Sequence, residues 1–231
     1  MIKRIFLIVL LGFVLYIFID SIANLPDIYN PAGKDFFAAN GLDDTGSRNL
    51  VVAIYLDYRL FDTILEASIL LLAVSGVMWF SHYYSTKKKP KYMIDSQKTP
   101  ELFITLSRMF YPIMTLFGIY IIVNGHLSPG GGFQGGVIVA TAILILYYID
   151  ISKFVDIDRI LTIDKFLFVL LIALASFSIL TRNEIFTSFI PISQSVEIKS
   201  IYLISMNVLI GIKVALSMIV IFTNFLREGV R

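Results

Sequence analysis

The sequence predicts an all-α polytopic membrane protein of about six transmembrane helices, with both termini on the cytoplasmic side. Three observations predict it. Hydrophobic residues make up 57% of the chain and charged ones only 16%, and the mean hydropathy of +0.82 lies outside the range of a soluble domain. Apolar segments able to cross about 30 Å of hydrocarbon recur along the chain. Lys and Arg gather in alternate flanks of those segments, as the positive-inside rule requires of one topology.

The first segment, at roughly 4 to 22, follows Lys3 and Arg4 and ends near Ser21-Ile22-Ala23, a pattern shared by signal peptides and signal anchors. An uncleaved anchor makes the charge count consistent and is the expectation. A polar loop rich in Gly, Asp and Asn follows at roughly 24 to 49. The second segment, at roughly 50 to 80, leads into the basic run Lys87-Lys88-Lys89-Pro90-Lys91, with His82 beside Trp79, Tyr83 and Tyr84 in an interfacial belt. The remaining segments fall at roughly 101 to 124, 134 to 151, 164 to 181 and 201 to 226.

About twelve basic residues then share one side (Lys3, Arg4, the Lys87 to Lys98 linker, Lys153, Arg159, Lys165, Arg227 and Arg231). About four (Lys34, Arg48, Arg182 and Lys199) fall on the other, and the richer side is cytoplasmic. The same pattern accounts for the net charge of +2 without nucleic acid. Cysteine is absent, which excludes a protein-ligated iron–sulfur cluster, and His82 and His126 as the only histidines argue against a haem ligand pair. The chain is therefore expected to hold no cofactor and no metal, and to place no catalytic redox chemistry of its own in the membrane.

Four ionisable residues interrupt the second segment: Asp57, Arg59, Asp62 and Glu66. Each costs on the order of 2.5 to 3.5 kcal/mol at the bilayer centre, so each needs a partner or water. At about 100° per residue, Arg59, Asp62 and Glu66 share a face, while Asp57 lies nearly opposite and near the outer end. Arg59 can pair with Asp62, and Glu66 lies one turn deeper. Glu66 carries a proton or coordinates a cation, with Arg59 and Asp62 tuning it, or the three form an ion-pair cluster that docks the helix on a neighbour. The stretch Asn49 to Glu66, with Leu56-Asp57-Tyr58-Arg59, Phe61-Asp62-Thr63 and Glu66, resembles the carboxy-terminal region of MrpA, the large subunit of Mrp antiporters. In membrane-bound hydrogenases the counterpart is a small separate protein, MbhE. The departures are Leu60, where that family has glycine, and Tyr58, where phenylalanine is usual.

Between the third and fourth segments lies Asn124-Gly125-His126-Leu127-Ser128-Pro129-Gly130-Gly131-Gly132-Phe133-Gln134-Gly135-Gly136. Residues 130 to 135 fit the letters of a dinucleotide-binding loop, but no strand or βαβ unit surrounds them. Their use is conformational: glycine permits positive φ and close helix approach, and Pro129 fixes a turn. Irregular backbone at this depth has to be covered by protein or line a polar cavity. His126 is the titratable member of the turn, a proton relay or a structural hydrogen-bond partner. The run is similar to the signature of the MnhB/MrpB family, a subunit of Mrp-type sodium/proton antiporters whose hydrogenase counterpart is MbhF, over about residues 100 to 226.

Lys213, mid-way along the last segment, must pair, snorkel or face water. It either couples electrostatically to an ion path or forms a structural salt bridge, and Asn207 is expected on about the same side. Arg108 is expected to snorkel toward the cytoplasmic end.

The resemblances imply a fusion: an MbhE-like two-helix unit at 1–83, a basic cytoplasmic linker at 84–100, and an MnhB/MrpB-like four-helix domain at 101–231. They imply a multi-pass subunit of the cell (inner) membrane in an Mrp-type complex that moves Na+ and H+. Its partners would be a large antiporter-like subunit, other Mrp-like subunits and, in a respiratory host such as a hydrogenase, hydrophilic redox subunits. The alternatives are a non-transporting scaffold of the same kind of complex, or a subunit of a stand-alone Mrp sodium/proton antiporter rather than of a hydrogenase or related respiratory complex. A stand-alone transporter is disfavoured, since the halves show no inverted repeat.

Overall fold

The computed structural model describes residues 2–23, 32–85, 100–149 and 156–229. The loop at 24–31, the basic linker at 86–99, residues 150–155, and the side chains of Lys3, Arg4, His82 and Arg227 lie outside the described residues. The described residues are helical or irregular, with no strand among them.

The chain divides into two units, Met1–Phe36 and Phe37–Arg231. The first contains α1, Ile2–Ala23, whose described side chains, Ile8, Leu11, Phe13 and Phe18 among them, are all exposed. A helix apolar all round has no soluble environment to favour it, and lipid or other membrane helices are the matching surroundings.

α2, Ala32–Thr45, stands where the sequence predicts only a loop. Its low hydrophobicity hides it, yet Gly41 and Thr45 are buried, and packing rather than propensity decides short helices. α3, Leu50–Ala53, starts at an N-cap in which the Asn49 side chain accepts from the Val51 amide. A π-helical turn over Ile54–Tyr58 follows, and the chain breaks at Arg59 with φ −134° and ψ 50°. The expected single helix at 50–80 is thus two. Arg59 N–H donates to the Ile54 carbonyl at 2.8 Å, and Thr63 Oγ1 donates to the Tyr55 carbonyl at 2.5 Å, which supplies a partner for an acceptor beside the break.

α4, Leu60–Ser85, α5, Glu101–Val123, α6, Gly132–Ile149, α7, Ile157–Ser176, α8, Ser178–Arg182, and α9, Val196–Gly229, complete the second unit. Four helical stretches are long and apolar enough to cross a membrane: Leu60–Ser81, Glu101–Val123, Ile157–Arg182 and Val196–Phe225. Two shorter apolar ones lie at Ile8–Ala23 and Gly132–Tyr147. α9 is the axis of the second unit: 56% of its most apolar stretch is buried, against 17–22% in the other three. Its buried face packs Tyr202, Leu203, Met206, Ile210 and Val214 against Leu56, Leu60, Ile64 and Ala67 and against Leu171 and Ala175.

The connections sort by end. One end holds residues 45–59, the turn between α5 and α6, and the segment from α8 to the start of α9, joined by hydrogen bonds from Asn49 to Gly125 and from Arg182 to Asp57. At the other, Val74, Ile157 and Val220 form a cluster, and Asn224 Nδ2 donates to Met78 Sδ at 3.1 Å. Successive helices α4, α5, α6, α7 and α9 therefore run in alternating directions.

Candidate functional site

The turn between α5 and α6 is held from the other half of the sequence. Ser47 Oγ donates to the His126 carbonyl at 3.0 Å, and the Arg48 and Asn49 amides donate to the same oxygen at 2.9 and 3.1 Å. Asn49 Nδ2 donates to the carbonyls of Gly125 at 2.8 Å and Ser128 at 2.9 Å. The carbonyls of Gly125, His126 and Ser128, which the turn leaves outside any helix, are paired in this way. Gly130 and Gly131 adopt φ of 143° and 146°, a region closed to side chains, and a Cβ at Gly131 would strike the Tyr55 hydroxyl. Pro129 is exposed. Gly132 opens α6, and its amide donates to Asn207 Oδ1 at 2.9 Å, an atom that also accepts from Tyr55 Oη at 2.8 Å. Gly135 and Gly136 bring α6 against α5 and α9: a Cβ on either would lie within 2.7 Å of the Gly118 or Gly211 carbonyl.

His126 is buried in this turn. Burial pushes its imidazole below the usual histidine range, with the Val123 carbonyl acting in the opposite sense.

Lys213 and Asn207 do not share a side. Six residues of helix rotate them about 120° apart, so Asn207 faces Tyr55 and α6 while Lys213 faces α7. Lys213 Nζ lies 3.2 Å from Asp164 Oδ1. Ser217 Oγ donates to the same Oδ1 at 2.6 Å, and Lys213 Nζ donates to Ser217 Oγ at 3.3 Å. Both charged side chains are shut off from solvent, at 1% and 0% exposure. The Phe168 ring lies 5.9 Å from the ammonium. Asp164 escapes a reading that starts this helix at about residue 164. The sequence signal that reveals it is Asp156, which caps α7 by accepting from the Arg159 amide, followed by Asp158 in the first turn.

Asp57, expected near the outer end of the second segment, is enclosed by this chain. It is buried and takes a bidentate contact from Arg182, with Nη1 at 2.6 Å and Nη2 at 3.5 Å, while Arg182 Nε donates to the Ile190 carbonyl at 2.5 Å. Arg59 and Asp62 pair at 3.0 Å with exposures of 61% and 38%. Glu66 is exposed on α4, beside exposed Leu65 and Ile69, and so turns away from this chain's own core. The structure therefore does not gather Arg59, Asp62, Glu66, His126 and Lys213 into one site. Arg108 is exposed on α5. Among the described residues no group of His, Asp or Glu is placed to hold a metal ion.

Residues 102–220 match the family model of domains related to the MnhB subunit of the Na+/H+ antiporter. The chain belongs to that family. The MnhB-related part thus starts in α5 and ends within α9. An uncharacterized protein of Methanocaldococcus jannaschii is 32% identical over 111 residues, 42% of this chain and 42% of its own length. The B subunit of the Bacillus subtilis Na+/H+ antiporter is 39% identical over 54 residues, 23% of this chain and 38% of its own. The chain thus spans about two fifths of the length of these relatives. A chain of the membrane-bound sulfane sulfur reductase, an archaeal respiratory membrane complex, superposes with a TM-score of 0.63 at 26% identity, covering 98% of this chain and 99% of that one. A chain of the Mrp complex from a Dietzia species gives a TM-score of 0.54 at 19% identity, a likeness of fold alone, over 94% of this chain and 26% of that one.

Proposed function

We propose that this MnhB-related chain is a membrane subunit of a multisubunit Mrp-type cation/proton translocating complex of the respiratory kind. The observation that carries the proposal is the end-to-end likeness to one chain of a respiratory membrane complex, joined to the family match. The chain is read as an MbhE-like unit at 1–83 and an MnhB-like domain at 101–231 joined by a basic cytoplasmic linker. Support comes from Asn49, which pairs the carbonyls of the glycine turn, and from the single longer Mrp chain that takes in 94% of this one.

In this reading α1 and α6 join the four longer spans to make six crossings of the cell (inner) membrane, with both termini cytoplasmic by the basic-residue count. Glu66 turns toward a neighbouring protein of the complex, because a carboxylate on an apolar helix face is too costly to leave in lipid. Its partners are a large antiporter-like subunit, smaller Mrp-like subunits and hydrophilic subunits that hold the redox groups. The transported ions are Na+ and H+. A non-transporting scaffold is the second reading, favoured by the completeness of the Asp57–Arg182 pair within the chain.

Affinity purification through a tag on this chain tests the reading. Antiporter-like and hydrophilic redox subunits are expected to copurify, and vesicles holding the complex to show Na+-dependent proton movement. Recovery of this chain alone, stable and without membrane partners, would refute it. An assembled Glu66→Gln complex at full Na+-dependent transport favours the scaffold.

A further inference from the structure

α4 meets the rest of the second unit along one side. Leu60, Ile64 and Ala67 belong to the apolar cluster built on α9, and at 100° per residue they lie about 100° or more around the helix from Glu66. The surface around Glu66 is open. Leu65 and Ile69 are 47% and 68% exposed, Ala73 is exposed two turns on, and a Cβ placed on Gly76 would meet nothing within 4 Å. Small side chains there leave room for a second helix to come close.

Glu66 is the seventh residue of α4 and so lies about 9 Å along the helix from Leu60. It sits inside Leu60–Ser81, a stretch long and apolar enough to span a membrane. A glutamate is too short to carry its charge back over that distance, as a lysine can. Among the described residues Glu66 has no hydrogen bond or ion pair. Arg59, two turns back, is already held by Asp62 at 3.0 Å. A carboxylate on an apolar helix face without a counter-charge is costly in lipid, and a cation brought to it from outside offsets that cost.

The chain's own spans hold no such cation. Arg182, Lys199 and Lys213 are bound within the chain, to Asp57, to the Asp43 carbonyl and to Asp164. Arg108, Arg159 and Lys165 lie in the halves of α5 and α7 away from the glycine turn, whereas Glu66 lies in the half of α4 next to it. A second copy inserted with the same topology therefore presents its cations at the wrong depth. α1 carries no Lys or Arg between residues 5 and 23.

We propose that this face of α4 seats a transmembrane helix of another subunit, one that sets a lysine or arginine against the Glu66 carboxylate. The inference rests on the reading of the chain as a subunit of a multisubunit membrane complex. Charge selects the partner helix and its depth. Ala73 and Gly76 let the two backbones approach beyond the ion pair.

The test uses the whole complex, purified through a tag on this chain. A photoreactive phenylalanine derivative at Ile69, one turn from Glu66, is crosslinked by light and the product is sequenced by mass spectrometry. The expected product joins α4 to an apolar helix of another subunit with a Lys or Arg within about one turn of the crosslinked residue. Glu66→Lys sets like charges together and is expected to lower recovery of that subunit about tenfold or more. Changing the identified cation to glutamate in the Glu66→Lys background is expected to restore it. A crosslink to lipid alone, to α1, to a second copy or to a helix without Lys or Arg overturns the proposal, and so does full recovery of the subunit in Glu66→Lys. Where Glu66→Lys does not accumulate, the crosslink decides. Purification of the chain without any other membrane subunit refutes the parent reading instead; partners that copurify while residue 69 reaches only lipid refute the docking alone.

Discussion

Lys213→Met isolates what the buried pair contributes to the fold. The ammonium lies 3.2 Å from Asp164 Oδ1, which at an effective dielectric of 20 is an attraction of about 5 kcal/mol. That gross figure is offset by the cost of removing both charges from water. The substitution leaves Asp164 buried and charged with Ser217 as its remaining donor, and breaking one side of a buried pair costs about 3–5 kcal/mol. Polar groups in membranes find alternative partners more readily, so the lower end of that range applies. Asp164→Leu with Lys213→Met removes both charges and fills the space with apolar atoms. Its stability is expected within about 1 kcal/mol of the unmutated chain, or above it. Detergent-solubilised protein titrated with sodium dodecyl sulfate, with helicity followed by circular dichroism, measures both variants. A single variant as stable as the parent, or a double variant as weak as the single, would refute this account of the pair.

Asn49→Ala removes the cap of α3 and the donors to Gly125 and Ser128; a loss of about 1–3 kcal/mol is expected, with faster amide exchange in residues 124–131 as the measurement. Gly131→Ala forces a side chain into positive φ against Tyr55, and a loss of about 1–3 kcal/mol follows from strain alone; a melting temperature equal to the parent's would count against it. His126 is held neutral by burial, so the fold takes up fewer protons there than the unfolded chain. Its contribution is complete above the unfolded value of about 6.5 and is lost as pH falls through that value toward the lower folded one. The melting temperature is expected to fall from pH 7.5 to pH 5 in the parent and to fall less in His126→Leu.

The apolar helices are legible because a membrane demands long hydrophobic runs, and hydropathy alone finds them. α2 is not, since a helix fixed by burial of Gly41 and Thr45 has no pattern of its own to show. The break at Arg59 is equally hidden: a π turn changes the backbone hydrogen bond from the fourth to the fifth residue without changing composition. The glycine turn stands out in the sequence. Its partners Ser47 and Asn49 do not, because side chain to carbonyl contacts across 76 to 79 residues leave no local trace. The charged residues are visible one by one, and their pairing is not.

That distinction bears on the topology itself. The basic-residue count puts four cations on the side opposite the basic linker, and two of them are internal fasteners. Arg182 clamps Asp57 and the Ile190 carbonyl, and the buried Lys199 donates from Nζ to the Asp43 carbonyl at 3.0 Å. Lys34 and Arg48 are exposed. The positive-inside rule concerns charge that resists translocation in short flanks. A cation that ends folded against a carboxylate is placed there by the fold. Arg182 is such a cation, as is Arg159 with Asp156 on the side of the basic linker, whereas Lys199 ends on a backbone carbonyl. In the proposed topology with cytoplasmic termini, these contacts hold Arg182 and Lys199 by the fold on the side the rule disfavours.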